Sequence, residues 1–318
     1  MKKLLSPLHS ATLLAALLTG CGGAPADTEE TTAEDTQSQP STGDASLDNP
    51  RNQDGIGEKE LLVVSFGTSY NDNRELTIGA VEADIQAAYP DWEVRRAFTA
   101  QTIIDILAER DGIQTDNVTE AMERLVADGV KKVVLQPTHL MHGYEYDDVM
   151  AEIAPYIDQF DSFAVGEPLL SSIEDYEGVI DALLAENENV VSEDVALVYM
   201  GHGTEHFANA CYSQLQALMR AEGYENAFVG TVESFPGLDD MLSQVAVFGA
   251  TKVVLQPLMV VAGDHANNDM AGDEEDSWKT AFTQAGYEVE CVIEGLGQSQ
   301  AIRDIYVEHV GAAIESIG

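Results

Sequence analysis

The chain has 318 residues, with 56 Asp and Glu against 15 Lys and Arg, and a formal net charge of −41 at pH 7. Coulomb repulsion from such a surface opposes binding to nucleic acid and to an anionic membrane surface, and screening would relieve its self-repulsion at high salt. The hydrophobic fraction of 45% is ordinary for a globular protein, so a core can form.

The first residues have the pattern of an export signal. Lys2 and Lys3 give a basic start, and the apolar run 11–18 is too short to cross a bilayer. A Leu-Thr-Gly sequence then precedes Cys21, which is typical of a bacterial lipobox. We therefore expect a signal peptide at 1–20, a lipidated Cys21 as the only membrane attachment, and a location in the cell envelope facing the periplasm or the exterior. A plain cleaved signal with an incidental cysteine is the alternative.

The segment that follows, residues 21–57, is rich in Thr, Ser, Asp, Glu, Gly, Pro and Gln and has almost no large apolar residues. It cannot bury a core, so we predict a disordered acidic tether. Two further cysteines, Cys211 and Cys291, allow one disulfide in an exported protein, and the sequence leaves their pairing open.

From Leu61 onward, apolar runs alternate with helical patterns. The run "LLVVSFGTS" predicts a buried parallel strand, residues 75–89 have helical spacing, and residues 93–100 predict a second strand. A helix at 119–128 is closed by Gly129, and "KKVVLQPTHLM" follows as the next strand. The alternation predicts an α/β fold with a mostly parallel sheet.

The chain also repeats itself. "DGVKKVVLQPTHLMHG" (128–143) matches "FGATKVVLQPLMVVAG" (248–263), and "LLVVSFGTS" (61–69) is echoed by "ALVYMGHGT" (196–204). Two matches in the same order indicate an internal duplication. We predict two similar lobes, each a mostly parallel sheet flanked by helices, at 58–165 and 190–318, joined by a connecting segment at 166–189.

Ligands of open parallel sheets bind outside the carboxyl ends of the strands, so the chemistry should lie just after each strand. His202 lies between two glycines at one predicted strand end, Glu233 follows another, and His265 follows the second copy of KVVLQP. Two imidazoles and one carboxylate could form an open metal site with positions left for substrate. The alternatives are a loop histidine bonded to backbone at 202 and a surface histidine in an acidic loop at 265.

Other residues near these strand ends are candidates for supporting roles in the cleft. Asp264 could orient His265, Asp269 lies one helical turn after it, and His206 could join His202, although a solvated turn is equally compatible. The remaining candidates, for lining the substrate cleft or supporting the metal ligands, are Ser65, Thr68, His139 and Met270. The sequence contains no HExxH, CxxC pair, P-loop or GxSxG motif, so hydrolase and nucleotide chemistry have little support.

Seven segments together resemble the class II tetrapyrrole chelatases, and among them the anaerobic sirohydrochlorin cobaltochelatases of the CbiK type. They are spread in order over residues 60–318: "LLVVSFGTSY", "RAFTAQTI", "GEPLLSS", "VYMGHGTEH", "VESFPG", "PLMVVAGDHANNDMAGDEEDSWK" and "GLGQSQAIRDIYVEH". The resemblance implies a two-lobed chelatase fold with a cleft for a flat tetrapyrrole, and it implies His202, Glu233 and His265 as metal ligands and catalytic residues.

The resemblance further implies insertion of Co(II), or of Fe(II) in some settings, into sirohydrochlorin, as in cobalamin biosynthesis, with no organic cofactor. An exported protein is out of place in that cytoplasmic pathway. The alternative is an envelope-anchored carrier that binds haem, another tetrapyrrole or a metal without turnover, with His139 and His142 as candidate axial ligands. The physiological metal and tetrapyrrole, the membrane that holds the anchor and any homo-oligomer stay open at this point.

Overall fold

The computed structural model describes residues 42–55, 57–187, 192 and 194–318. The predicted signal peptide, Cys21 and most of the predicted tether lie outside these residues. The described chain contains two four-stranded, all-parallel sheets, one built from each half of the repeat. The prediction of an α/β fold with two similar lobes is confirmed.

The first lobe carries four strands and five helices. Its strands are β1 (Lys59–Ser65), β2 (Glu93–Phe98), β3 (Lys132–Pro137) and β4 (Ser162–Val165). Its helices are α1 (Asn71–Arg74), α2 (Ala80–Ala88), α3 (Gln101–Ile106), α4 (Val118–Asp128) and α5 (Tyr144–Ile153). A π-helical turn, Glu75–Gly79, joins α1 to α2, so the predicted helix at 75–89 begins four residues earlier than its spacing indicated.

The second lobe follows helix α6 (Ile173–Glu186), which lies in the predicted connecting segment. Its strands are β5 (Val195–Gly201), β6 (Ala227–Thr231), β7 (Lys252–Pro257) and β8 (Glu288–Cys291). Its helices are α7 (Ala210–Ala221), α8 (Leu238–Phe248), α9 (Trp278–Gln284) and the long C-terminal α10 (Gln300–Ile317).

The two sheets have the same strand order and the same register. The orders are β2-β1-β3-β4 and β6-β5-β7-β8. Val64 pairs with Pro137 in the first sheet, and Met200 pairs with Pro257 in the second, so both copies of KVVLQP lie against the preceding strand in one alignment. The helix before each copy ends at a glycine in the left-handed region, Gly129 or Gly249, which is the conformation that glycine adopts without steric cost. The sequence repeat is therefore a repeat of structure.

Alternate residues of each central strand face different cores. Leu61 of β1 and Leu197 of β5 belong to one large cluster that α6 and α10 also line, and this cluster joins the two lobes. Leu62 faces an outer core of the first lobe, and Val198 faces an outer core of the second. Because both faces of these strands are buried, their sequences are continuously apolar instead of alternating.

Residues 42–55 pack against the first lobe, and we call them the N-terminal strap. The side chain of Asp48 is 3% exposed and bonds both Arg74 and Arg96, with N–O distances of 2.9 and 2.8 Å. The carbonyl oxygen of Arg51 in the strap also accepts a hydrogen bond from the backbone N–H of Arg96, on the edge strand β2, at 3.2 Å. The prediction of a disordered tether through residue 57 is therefore wrong for this part, because long-range ion pairs hold a segment that has few apolar residues.

The two cysteines of the second lobe are both free, so the disulfide that the cysteine count allows is not formed. Cys211 is buried at the start of α7 with its sulfur 3.6 Å from that of Met141, and burial raises the pKa of its thiol to about 12. Cys291 ends the edge strand β8. In the part of the chain that the structure describes, no helix is long and apolar enough to cross a membrane.

Candidate metal centre

A cleft of about 510 Å³ lies between the lobes, at the carboxyl ends of the strands. One wall comes from the first lobe, from the loops after β1 and β3. The other comes from the second lobe, from the loops after β5, β6 and β7. This is the position that the strand-end rule predicts for a ligand site in parallel sheets.

Three predicted residues meet in this cleft, one from each of three loops of the second lobe. One ligand atom each from His202, Glu233 and His265 lies within 4.8 Å of the others, and no further group of this kind occurs among the described residues. The Nε2 atom of His202 is 3.8 Å from an Oε atom of Glu233, and the rings of His202 and His265 are 4.7 Å apart between centroids. This spacing suits three ligands on one face of a metal ion, with the other face open to a substrate.

Each imidazole of the group has one nitrogen occupied and the other free. The Nδ1–H of His202 donates to the carbonyl oxygen of Gly203 at 2.8 Å, and the Nδ1–H of His265 donates to a carboxylate oxygen of Asp269 at 2.6 Å. Both partners only accept hydrogen bonds, so they fix the tautomer that leaves a lone pair on Nε2. The alternative for His202 was a loop histidine bonded to backbone. That hydrogen bond is present, but it uses Nδ1 and leaves Nε2 free to bind a metal.

Backbone geometry around His202 explains why glycines flank it. Gly203 has a φ of 88°, and a Cβ there would lie 2.9 Å from Thr231 and Ser234. A Cβ on Gly201 would lie 2.2 Å from the ring of Tyr212. The chain can therefore pass close to its neighbours and turn His202 into the cleft only if both positions lack a side chain. The backbone N–H of Glu233 then bonds the carbonyl of His202 at 2.9 Å, which ties the two ligand loops together.

The sequence comparisons identify the family of the chain. The family model described as "Cobalt chelatase (CbiK)" matches residues 59–315. The chain belongs to this cobalt chelatase family. It is 42% identical to a sirohydrochlorin cobaltochelatase of Salmonella typhimurium over 257 residues, which cover 81% of this chain and 97% of that protein. It is also 32% identical to the sirohydrochlorin cobaltochelatase CbiKC of Nitratidesulfovibrio vulgaris, covering 82% and 92% of the two chains.

Solved structures give the same fold. The chelatase is similar to SirB from Bacillus subtilis, solved with Fe3+, at a TM-score of 0.56 and 14% identity, covering 81% of this chain and 96% of that one. It is also similar to CbiX, described as the terminal enzyme of sirohaem biosynthesis in denitrifying bacteria, at a TM-score of 0.50 and 15% identity, covering 80% and 99%. At these identities the likeness concerns the two-lobed fold alone.

The chelatase holds its candidate ligands in one lobe only. The shared register places Phe66 at the position of His202, Ala100 at that of Glu233 and Glu145 at that of His265. Phe66 and Ala100 offer no metal ligand. The two lobes therefore form similar walls, of which the second carries the metal group and the first has no ligand at the positions of His202 and Glu233.

Of the remaining candidates, Ser65, Thr68, His139 and Asp264 line the cleft, and Met270 does not. Met270 is fully buried in the outer core of the second lobe, where Trp278 also lies. Asp264 does not orient His265: it accepts a hydrogen bond from Asn268 at 2.7 Å, while Asp269 holds the imidazole.

Four described histidines lie outside the metal group, and three of them are candidates from the sequence. His139 lines the cleft, but neither ring nitrogen has accessible surface or a hydrogen-bond partner, and burial lowers its pKa to about 4. His206 is 8% exposed, accepts the backbone N–H of Ala208 through Nδ1, and does not join His202 at a metal. His142 is at the surface, with Nε2 2.8 Å from a carboxylate oxygen of Glu167.

The charge of the cleft is one-sided. Four of its described lining residues are acidic, and none is Lys or Arg; the acidic ones are Glu145, Glu205, Glu233 and Asp264. Such a lining attracts a divalent cation and repels the carboxylate groups of a tetrapyrrole. A flat ligand that carries carboxylate groups would have to bind here mainly through its apolar faces.

Sequence reasoning missed two residues that shape the cleft. Asn73 of α1 accepts the backbone N–H of Ala262 at 2.8 Å, which joins the first lobe to the loop that carries His265. Tyr70 lines the cleft, and burial, with a smaller contribution from nearby Asp264, raises the pKa of its phenol. Neither has a local sequence signal, because each acts on a partner far away in the chain.

Proposed function

We propose that this chelatase inserts Co(II), with Fe(II) as an alternative metal, into sirohydrochlorin or a closely related tetrapyrrole. The names of its two relatives at 42% and 32% identity support the substrate pair. The observation that carries the proposal is the convergence of His202, Glu233 and His265 on one point of the cleft, with both Nε2 atoms free.

The donor set suits a metal that must be bound and then released. Two neutral imidazoles and one carboxylate are borderline ligands that accept Co(II) and Fe(II). All three side chains are partly exposed, with 43% for His202, 56% for Glu233 and 33% for His265, so water can complete the coordination sphere. A site with three protein ligands and open positions holds the ion without enclosing it, and the macrocycle nitrogens can replace the waters and then the protein ligands.

Insertion releases protons that the same residues can take. The tetrapyrrole gives up two pyrrole N–H protons as the divalent metal forms its bonds to the ring nitrogens, so the metal complex and two protons are the products. As the metal leaves, the Nε2 lone pair of His202 and the carboxylate of Glu233 become free bases next to the ring. We assign His202 as the first proton acceptor because its Nδ1–H is already fixed on Gly203 and its Nε2 faces the metal position.

One assay tests this function directly. Purified protein is mixed with sirohydrochlorin and Co(II), and insertion is followed by the change in the absorption spectrum. We expect His202→Ala to lower the rate at least a hundredfold, since it removes both a ligand and a base, while His142→Ala, a matched surface control, leaves it unchanged. Insertion that survives His202→Ala would contradict the proposed site. Tight haem binding without insertion in the wild type would instead favour the carrier function.

The cellular location is part of the proposal. We infer that the chelatase is held in the cell envelope by a lipid on Cys21 and faces the periplasm or the exterior, on the support of the lipobox pattern in the sequence. In that case it acts on tetrapyrrole or metal outside the cytoplasm. Fractionation of cells that produce the full chain tests this: the wild type should sediment with membranes, and Cys21→Ser should release it or block its processing.

A further inference from the structure

The N-terminal strap lies outside the region that defines the family. The family match begins at residue 59, whereas the strap occupies residues 42–55 and is ordered against the first lobe. Its end at Asp54 pairs with Arg124 on α4, and two of its other contacts reach the loop after β1 and a pair of buried arginines. Both places lead to the cleft wall.

The first contact is made by Thr42 at the start of the strap. Its Oγ1 atom donates to the carbonyl of Ser69 at 3.2 Å and accepts the backbone N–H of Asn71 at 3.1 Å. Its own carbonyl accepts the N–H of Asp72 at 2.8 Å. Ser69 and its neighbour Tyr70 line the cleft. One residue of the strap therefore makes three hydrogen bonds to a loop that lines the cleft.

The second contact passes through an arginine. Asp48 of the strap bonds Arg74 Nε at 2.9 Å, and Arg74 Nη1 donates to the carbonyl of Thr68 at 3.0 Å. Arg74 is fully buried and Asp48 is nearly so, so this link is held in a region of low dielectric. Thr68 lines the cleft, so the orientation of Arg74 decides where this part of the wall lies.

The region matched by the family model, residues 59–315, does not supply a carboxylate partner for every buried arginine near the strap. The buried arginines Arg74 and Arg96 have two buried carboxylate partners, and these are Asp48 and Glu82. Glu82 lies within the family region and Asp48 lies in the strap. Glu82 pairs with Arg96 and also with Arg51 of the strap, so without the strap Arg74 would lose its one carboxylate partner among the described residues.

We propose that the N-terminal strap is a positioning element of the active cleft: it fixes the loop 66–72 in the shape that receives the tetrapyrrole, through Thr42 on the loop backbone and Asp48 on Arg74. The inference rests on the proposed function for the identity of the ligand. The strap acts on the wall of the first lobe, and the metal group belongs to the second. It therefore sets tetrapyrrole affinity and leaves Co(II) affinity unchanged.

The test uses full-length protein with Thr42→Val, Thr42→Ser, Asp48→Asn and the control Asp54→Asn. Asp54 lies in the same strap but pairs with Arg124 on α4, away from the cleft. Affinity for metal-free sirohydrochlorin is measured by absorption titration, Co(II) affinity by a separate titration, and the melting temperature is recorded for each variant.

We expect Thr42→Val, which removes the two hydrogen bonds of Oγ1, and Asp48→Asn, which removes the charge beside Arg74, each to weaken tetrapyrrole binding about fivefold. Thr42→Ser, which keeps the hydroxyl, and Asp54→Asn should match the wild type, and Co(II) affinity should not change in any of them. Thr42→Val keeps the ion pairs and therefore remains informative if Asp48→Asn does not fold.

Three outcomes would overturn the inference: unchanged tetrapyrrole affinity in Thr42→Val, an equal loss in Asp54→Asn, or a parallel loss of Co(II) affinity that follows the melting temperature. Wild-type protein that binds sirohydrochlorin but does not insert Co(II) would contradict the proposed function, while the affinities of the variants would still decide the role of the strap. Wild-type protein that does not bind it would contradict both.

Discussion

Replacing Asp269 with asparagine should weaken Co(II) binding at the metal group. The carboxylate of Asp269 accepts the Nδ1–H of His265 at 2.6 Å, a short charge-assisted hydrogen bond that orients the ring and makes its Nε2 a better donor. Asparagine keeps the size of the side chain and removes its charge, so the change tests the electrostatic contribution separately from packing.

The expected loss of Co(II) affinity is limited by the solvent exposure of His265 and Asp269. Loss of such a partner typically costs 10–100-fold in metal affinity. His265 is 33% exposed and Asp269 is 45% exposed, so water screens their interaction and places the effect near the lower limit. We therefore expect about a tenfold higher dissociation constant for Co(II), which corresponds to ~1.4 kcal/mol.

Titration of the purified variant with Co(II), followed by its visible absorption, measures the effect. Asp273→Asn is the matched control, because Asp273 belongs to the same acidic stretch but is 95% exposed and pairs with Lys279. The reasoning would be refuted if Asp269→Asn changed the constant less than twofold, or if both variants lost affinity equally. The second result would mean that general negative charge, and not the orientation of His265, determines binding.

Two further predictions follow from charge. The pKa of His139 is lowered from 6.5 to about 4, so between these values the unfolded chain binds a proton that the folded chain does not. The contribution of neutral His139 to the free energy of unfolding is then fully present above pH 6.5 and falls as the pH drops, by about 2 kcal/mol at pH 5. Denaturant unfolding at pH 7 and pH 5 should give this difference, and His139→Phe should abolish it. Added NaCl should lower the KM for sirohydrochlorin and raise that for Co(II), because the acidic cleft repels the first and attracts the second; steady-state kinetics that gave equal signs for both would contradict this electrostatic picture.

The stretch around His265 shows where sequence reasoning succeeds and where it stops. The repeat predicted that this residue follows a strand at the cleft, and it does. The roles of its neighbours depend on how one π-helical turn, Ala266–Met270, is oriented. His265 lines the cleft and is held by Asp269, while Ala266 and Met270 of the same turn are fully buried. Sequence spacing indicates which residues lie on the same side of the turn, but it does not show which side faces the cleft.

The sequence by itself determined the two lobes, the parallel strands and the three strand ends where His202, Glu233 and His265 lie. These features rest on short-range signals and on the repeat: continuous apolar runs require burial on both faces, and parallel strands bring their carboxyl ends to one edge. Only the tertiary structure decided that Asp269 orients His265 and that the strap closes on the first lobe. The contacts of the strap depend on buried ion pairs and hydrogen bonds between residues far apart in the chain. Its composition predicted a disordered tether, because the few charges that anchor it leave no periodic pattern in the sequence.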